Sequence, residues 1–121
     1  MKYCLVVDDS PIVRKVARRI LESKNLHIEE AEDGSEALSM CRKKMPDAIF
    51  VDANMPNIDG YDFLRELRQM DNGKTPRVMI CATENEISAI ARARHLGADN
   101  FMLKPFDKDY LVSKFVETGI L

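Results

Sequence analysis

The chain has 121 residues, 45% of them hydrophobic and 31% charged, with a formal net charge of −2. That length supports one domain, spanning 1–121, with a core that needs neither metal nor disulfide staples, and the composition is that of a globular protein rather than a disordered one. The balance lacks the basic excess of a nucleic-acid binder, and no segment approaches the apolar run of a membrane span.

In chain order, Tyr3 to Val7 reads as a short buried strand. Ser10 then stands as a helix N-cap with Pro11 in the first helical position. Ile12, Val13, Val16, Ala17, Ile20 and Leu21 follow at helical spacing, with Arg14, Lys15, Arg18 and Arg19 on the other face. His27 to Ala31 predicts a second strand. Asp33 with Glu36 resembles a capping box and opens a helix carrying Ala37, Leu38 and Cys41 inward.

Asp47 to Val51 predicts a third strand, and Asp59-Gly60 opens a helix with Phe63, Leu64 and Leu67. After the loop at 71–76 come a fourth strand, Arg77 to Ala82, and a helix marked by Ile87, Ile90, Ala91 and Leu96 and closed by Gly97. Asn100 to Leu103 predicts the last strand, and Asp107 caps a final helix carrying Leu111 and Phe115. Five strands alternating with five helices imply an α/β fold, a parallel sheet covered on both faces.

In such a sheet, ligands bind at the carboxyl ends of the strands, beside the switch point. There the first strand delivers Asp8-Asp9, the third Asp52, the fourth Ala82-Thr83 and the fifth Lys104-Pro105. If the first and third strands are neighbours, three carboxylates converge. Two unit charges about 4 Å apart near a protein surface interact by roughly 4 kcal/mol. A hard divalent cation such as Mg2+, with Lys104 beside it, would offset that repulsion. A carboxylate is itself a nucleophile for phosphorus, and phosphoryl transfer needs mostly positioning and charge neutralisation.

Asp8-Asp9, Asp52-Ala53-Asn54-Met55-Pro56, Asp59-Gly60, Thr83 and Lys104-Pro105-Phe106 together resemble the receiver domain of bacterial response regulators, the CheY-like family, over essentially the whole chain. The resemblance implies a flavodoxin-like (βα)5 fold with strand order 2-1-3-4-5. It implies Asp52 as phospho-acceptor in a Mg2+-dependent reaction, with Mn2+ as a substitute ion. Asp9 would bind the metal directly, Asp8 mainly through water, and Asn54 through its backbone carbonyl. Thr83 would move toward the phosphoryl group and Lys104 would pair with it, the Lys104–Pro105 bond being cis.

The family's partners would be a histidine kinase or histidine phosphotransfer protein, meeting the first helix and the active-site face. An unknown output protein would meet the fourth helix, fifth strand and fifth helix. The chain ends soon after its last helix, so output by protein contact, or service as a phosphate sink or relay, is expected. A cytoplasmic monomer is the default, with no direct nucleic-acid contact and no membrane insertion. Two positions depart from the family pattern. Glu84 follows the switch threonine where a small residue is usual, which implies slowed exchange with small-molecule donors. Phe101 occupies the switch-aromatic position without a tyrosine hydroxyl. Asn54 and Asn85 fall at positions that tune hydrolysis.

Each residue also has a plainer explanation. Asp8 and Asp9 would serve as helix-start acids, Lys104 as a solvated lysine, and the arginines of the first helix as a solvated face. His27 and His95 read as surface residues, and Cys4, Cys41 and Cys81 as buried free thiols in a reducing compartment. An aspartyl-nucleophile phosphohydrolase would want a second acid two residues after the first, and Asp8-Asp9-Ser10 lacks that spacing. A nucleotide or flavin binder would want a glycine-rich phosphate loop, which is absent. A receiver that signals without phosphorylation would not need the full reactive set.

Overall fold

The computed structural model describes residues 1–83 and 87–121; Glu84 and Asn85, with the expectations attached to them, lie outside the described residues. The chain runs β1 (Tyr3–Val7), α1 (Pro11–Glu22), β2 (His27–Ala31), α2 (Gly34–Lys43), β3 (Ala48–Asp52), α3 (Gly60–Gln69), β4 (Arg77–Ala82), α4 (Ile87–His95), β5 (Asn100–Leu103) and α5 (Lys108–Thr118). The strands form one parallel sheet in the order β2-β1-β3-β4-β5, a doubly wound, flavodoxin-like arrangement in which the chain reverses direction between β1 and β3.

Side-chain alternation divides the interior into two cores. Leu5, Val7, Ile49, Val51, Val78, Ile80 and Phe101 face α2, α3 and α4. Cys4, Val6, Ala48, Phe50, Met79, Cys81 and Met102 face α1 and α5, meeting Ala17, Leu21, Leu111 and Phe115. The sheet is thus buried on both sides, which is why β1, β3 and β4 read as nearly continuous apolar runs, unlike the edge strand β2. Burial pushes the thiols of Cys4 and Cys81 up to about 12 and that of Cys41 to about 11, leaving free, protonated cysteines.

The helix starts follow the sequence. Ser10 Oγ accepts from the Val13 amide, Asp33 from Glu36, Asp59 from Asp62 and Asp107 from Tyr110. At Asp33 the reciprocal bond is shifted by one residue, because Glu36 Oε1 accepts from the Glu32 amide rather than from the cap. Gly97 ends α4 at φ 103°, and the Ala98 amide reaches back to the Ala93 carbonyl. Here Ala93 is the buried residue of α4, with Ala89, Ile90 and Leu96 packed partly against the core, while Ile87 and Ala91 are exposed.

An arginine on the apolar stripe of α3, four residues beyond Leu64, ties three segments together. Arg68 donates to the carbonyls of Gly73 and Pro76 in the α3–β4 loop and to Gly97 O after α4, and pairs with Asp99 at 3.2 Å. Asp99 also accepts from the Val78 amide. The C-terminal end of α4 is therefore anchored to α3 and to the start of β4.

Candidate functional site: an acidic cluster closed by a lysine

The site is assembled by extending three ladders past the carboxyl ends of their strands. The Asp8 amide donates to Ala31 O, the Ala53 amide to Cys81 O and the Lys104 amide to Ala82 O. Val7 pairs with Val51, so the next residues, Asp8 and Asp52, stand side by side. Asp8, Asp52 and Lys104 continue the alternation of Val6, Phe50 and Met102, which turns all three toward the α1–α5 face.

Asp8 is fully buried and Asp52 is 4% exposed, whereas Asp9 is exposed. Carboxylate oxygens of the three lie within 4.8 Å of one another. Asp8 Oδ1 accepts from the Ser10 amide, and Asp52 Oδ1 accepts a long 3.4 Å bond from the Asn54 amide. Asp8 Oδ2 is sealed from solvent and accepts no well-directed hydrogen bond. Its counter-charge is the Lys104 ammonium at 2.8 Å, which also lies 3.4 Å from Asp52 Oδ1. The helix-start and surface-lysine explanations therefore do not describe Asp8 and Lys104.

Electrostatics follow the geometry. Burial, with the charge of Asp8 added, pushes the Asp52 carboxyl up to about 6, and Lys104 pulls it back only in part. Burial works to lower the Lys104 ammonium, but its 2.8 Å pairing with Asp8 and the charge of Asp52 outweigh this and raise it. One lysine against three acids leaves the cluster short of positive charge. An all-oxygen donor set with an under-bonded buried carboxylate oxygen fits a hard divalent cation held by Asp8, Asp9 and Asp52. Asn54 is exposed, and its backbone amide meets the Asp52 carboxylate.

The remaining predicted residues surround this centre without joining it. Thr83 is exposed and shares with Ile12, Val16, Lys104, Pro105 and Phe106 an apolar hollow of about 400 Å3. The Lys104–Pro105 bond is cis. Phe101 lies away from the carboxylates, buried in β5 against the α4 side of the sheet.

Gly60 positions the end of β3, and with it Asp52, from below. Its amide donates to Ala53 O, and a Cβ there would collide with the Asp52 carbonyl oxygen and lie 2.9 Å from Ala53 Cα. Only glycine allows α3 to start this close to the end of β3.

Of the basic residues of α1, Lys15 and Arg19 are exposed as expected, but Arg14 and Arg18 are not simply solvated. Arg14 and Arg18 turn to Glu30 on β2, at 3.0 and 2.7 Å, and Arg14 also donates to the Asp8 carbonyl. Ile12 and Val16 face solvent instead, Ile12 at 75% exposure. The hydrogen bond from Arg18, and then that from Arg14, hold the Glu30 carboxyl below its usual range. A lowered native pKa contributes stability that is present above the unfolded value, about 4.3, and is lost as pH falls through the native one. Glu30→Gln is expected to lose less thermal stability than the native chain on acidification below about pH 4; parallel melting curves across that range would show it.

Comparison with known proteins agrees with this geometry. The chain is 35% identical over 107 residues to the chemotaxis protein CheY of Halobacterium salinarum, covering 88% of each. It is 34% identical over 110 residues to the response regulator MprA of Mycobacterium sp. strain KMS, covering 91% of this chain but 47% of that protein. In structure it matches the chemotaxis response regulator CheY4 of Vibrio cholerae with a TM-score of 0.93 at 29% identity, over 98% of both chains. Among the described residues no helix is long and apolar enough to cross a membrane. Residues 4–116 match the response regulator receiver domain, and with the acid–lysine cluster in place at the ends of β1, β3 and β5, the chain belongs to that family of two-component signalling proteins.

Proposed function

We propose that the chain is a phosphorylation-controlled switch that accepts a phosphoryl group on Asp52 from a histidine kinase or histidine phosphotransfer protein, and that it catalyses only its own phosphorylation and dephosphorylation. The observation that carries this reading is the Lys104 ammonium, 2.8 Å from Asp8 and 3.4 Å from Asp52 at the end of the sheet. In the transfer, an Asp52 carboxylate oxygen forms a bond to phosphorus as the donor's P–N bond breaks, and the leaving nitrogen keeps the electron pair and takes a proton. Lys104 neutralises a phosphoryl oxygen as the charge arrives, and the Thr83 hydroxyl donates to a second. Asp8, Asp9 and Asp52, with the Asn54 carbonyl, would hold a divalent cation, Mg2+ or Mn2+, which would supply further charge neutralisation.

Two surfaces support the partner assignments. The hollow formed by Ile12, Val16, Pro105 and Phe106 borders Lys104 and offers an apolar seat for the donor protein. A groove of about 290 Å3 on α4, β5 and α5, lined by Ile90, Arg94, Phe101, Tyr110 and Lys114, suits the output partner. A change in Phe101 burial would reshape that groove, and the Tyr110 hydroxyl, which accepts from the Leu103 amide, fixes its other wall.

Incubation with phosphoramidate and Mg2+, read by intact mass, tests the proposal. One phosphoryl group is expected on the native chain, none on Asp52→Asn, and little in the presence of chelator. A gain retained by Asp52→Asn would move the chemistry to another residue.

A further inference from the structure

The acid cluster repels the anion it is proposed to receive. Three carboxylates and Lys104 sum to −2, and a divalent cation only brings the centre to neutrality. On the α3–α4 side of the sheet, a polar cavity of about 330 Å3 is lined by Asn54, Asp59, Tyr61, Ala82, Ser88 and Arg92. Two of these residues also bond the centre: the Asn54 amide donates to the Asp52 carboxylate, and Ala82 O accepts from the Lys104 amide. The cavity therefore lies against the backbone that carries the centre, on the side of the sheet away from α1.

Arg92 is the cation among the described residues that line this cavity. Its guanidinium carbon lies 4.4 Å from the centre of the Tyr61 ring, a spacing at which the ring face holds the cation in place. Tyr61 is itself buried in the core beneath α3 and α4, so the platform is fixed. Among the described residues, no ion pair or side-chain hydrogen bond of Arg92 is present. A stacked guanidinium keeps its N–H edge available, and that planar fork matches a phosphoryl group. Among the described residues that line the cavity, the opposing charge is Asp59, whose Oδ1 accepts from the Asp62 amide at the positive end of α3.

We propose that Arg92, stacked on Tyr61, is a donor-capturing residue that draws small phosphorylated anions into the cavity beside Asn54 and orients them toward Asp52. This rests on the phospho-acceptor reading above. Arg92 acts before the transfer step, since Lys104 already pairs with the acceptor. It governs encounter and binding rather than the maximal rate, and its contribution weakens as salt screens it.

The test measures the initial rate of phosphoryl uptake from phosphoramidate against donor concentration, at low and high ionic strength, for the native chain, R92A and R92K. R92A is expected to lower the second-order rate constant about tenfold at low salt, equivalent to about 1.4 kcal/mol, with the rate at saturating donor unchanged and the difference shrinking at high salt. R92K is expected to recover most of the loss. A native-like rate constant in R92A overturns the proposal. So does a parallel fall in the rate constant, the saturating rate and the thermal midpoint, which would make Arg92 only a bracket between α3 and α4. Absence of uptake by the native chain itself would overturn the acceptor reading and this inference with it.

Discussion

Lys104→Ala is expected to slow phosphoryl uptake from phosphoramidate roughly a hundredfold or more, the scale seen when one preorganised donor to a developing oxyanion is removed. The lysine holds Asp8 and Asp52 together at 2.8 and 3.4 Å, and it needs no reorganisation to meet an arriving phosphoryl oxygen. Its loss also strips the counter-ion from a fully buried carboxylate, Asp8. An uncompensated buried charge costs about 3 kcal/mol or more, so the variant should unfold at lower urea. The two effects separate on addition of millimolar Mg2+. A cation bound by the freed carboxylates should restore much of the lost stability, because binding to the native state alone stabilises it, but it should not restore the rate, because no ammonium remains to pair with the phosphoryl group. Equal restoration of both would mean that Lys104 acts only as a structural counter-ion.

Gly60→Ala is expected to destabilise the fold by about 3 kcal/mol, at the upper end of overpacking costs, and to impair the site along with it. The added methyl group meets backbone on two sides, the Asp52 carbonyl and Ala53 Cα, rather than the movable end of a side chain. Relief requires α3 to lift from the end of β3, which breaks the Gly60 amide bond to Ala53 O and shifts the segment carrying Asp52 and Asn54. Urea unfolding with the phosphoramidate mass assay would read both consequences. A stable variant with ordinary uptake would show that α3 can move without disturbing the acceptor.

Much of this was legible in the residues. The strand ends named Asp8, Asp9, Asp52 and Lys104, and the register brings them together because residues that follow paired positions remain neighbours. The third strand begins at Ala48 rather than Asp47, where the Tyr3 amide donates to the Asp47 carboxylate instead of to a backbone carbonyl. The first helix was harder to read. Periodicity groups Ile12 and Val16 with Ala17 and Leu21, but it does not say how wide a face the sheet can cover. The sheet takes Ala17 and Leu21, leaving the other two to solvent, while the long arms of Arg14 and Arg18 reach the edge strand. Arg68 carried a signal in its place on an apolar stripe. Arg92 carried none, since its meaning depends on Tyr61, thirty-one positions earlier in sequence and on a different helix.

The shared facing of Asp8, Asp52 and Lys104 has a consequence for how this chain tolerates change in length. Because adjacent strand residues point to opposite sides, one residue inserted between Ala48 and Val51 would carry the acceptor across the sheet, away from both its acidic neighbour and its lysine. The same insertion in the loop at 71–76 would leave every strand end where it stands, because the ladder resumes at Arg77 whatever precedes it. Indel tolerance along the chain should therefore be sharply uneven: the short segments between a strand's first ladder bond and its terminal polar residue are fixed in length, and the connections at the opposite ends of the strands are freer to grow, within what the Arg68 bonds to Gly73 O and Pro76 O allow.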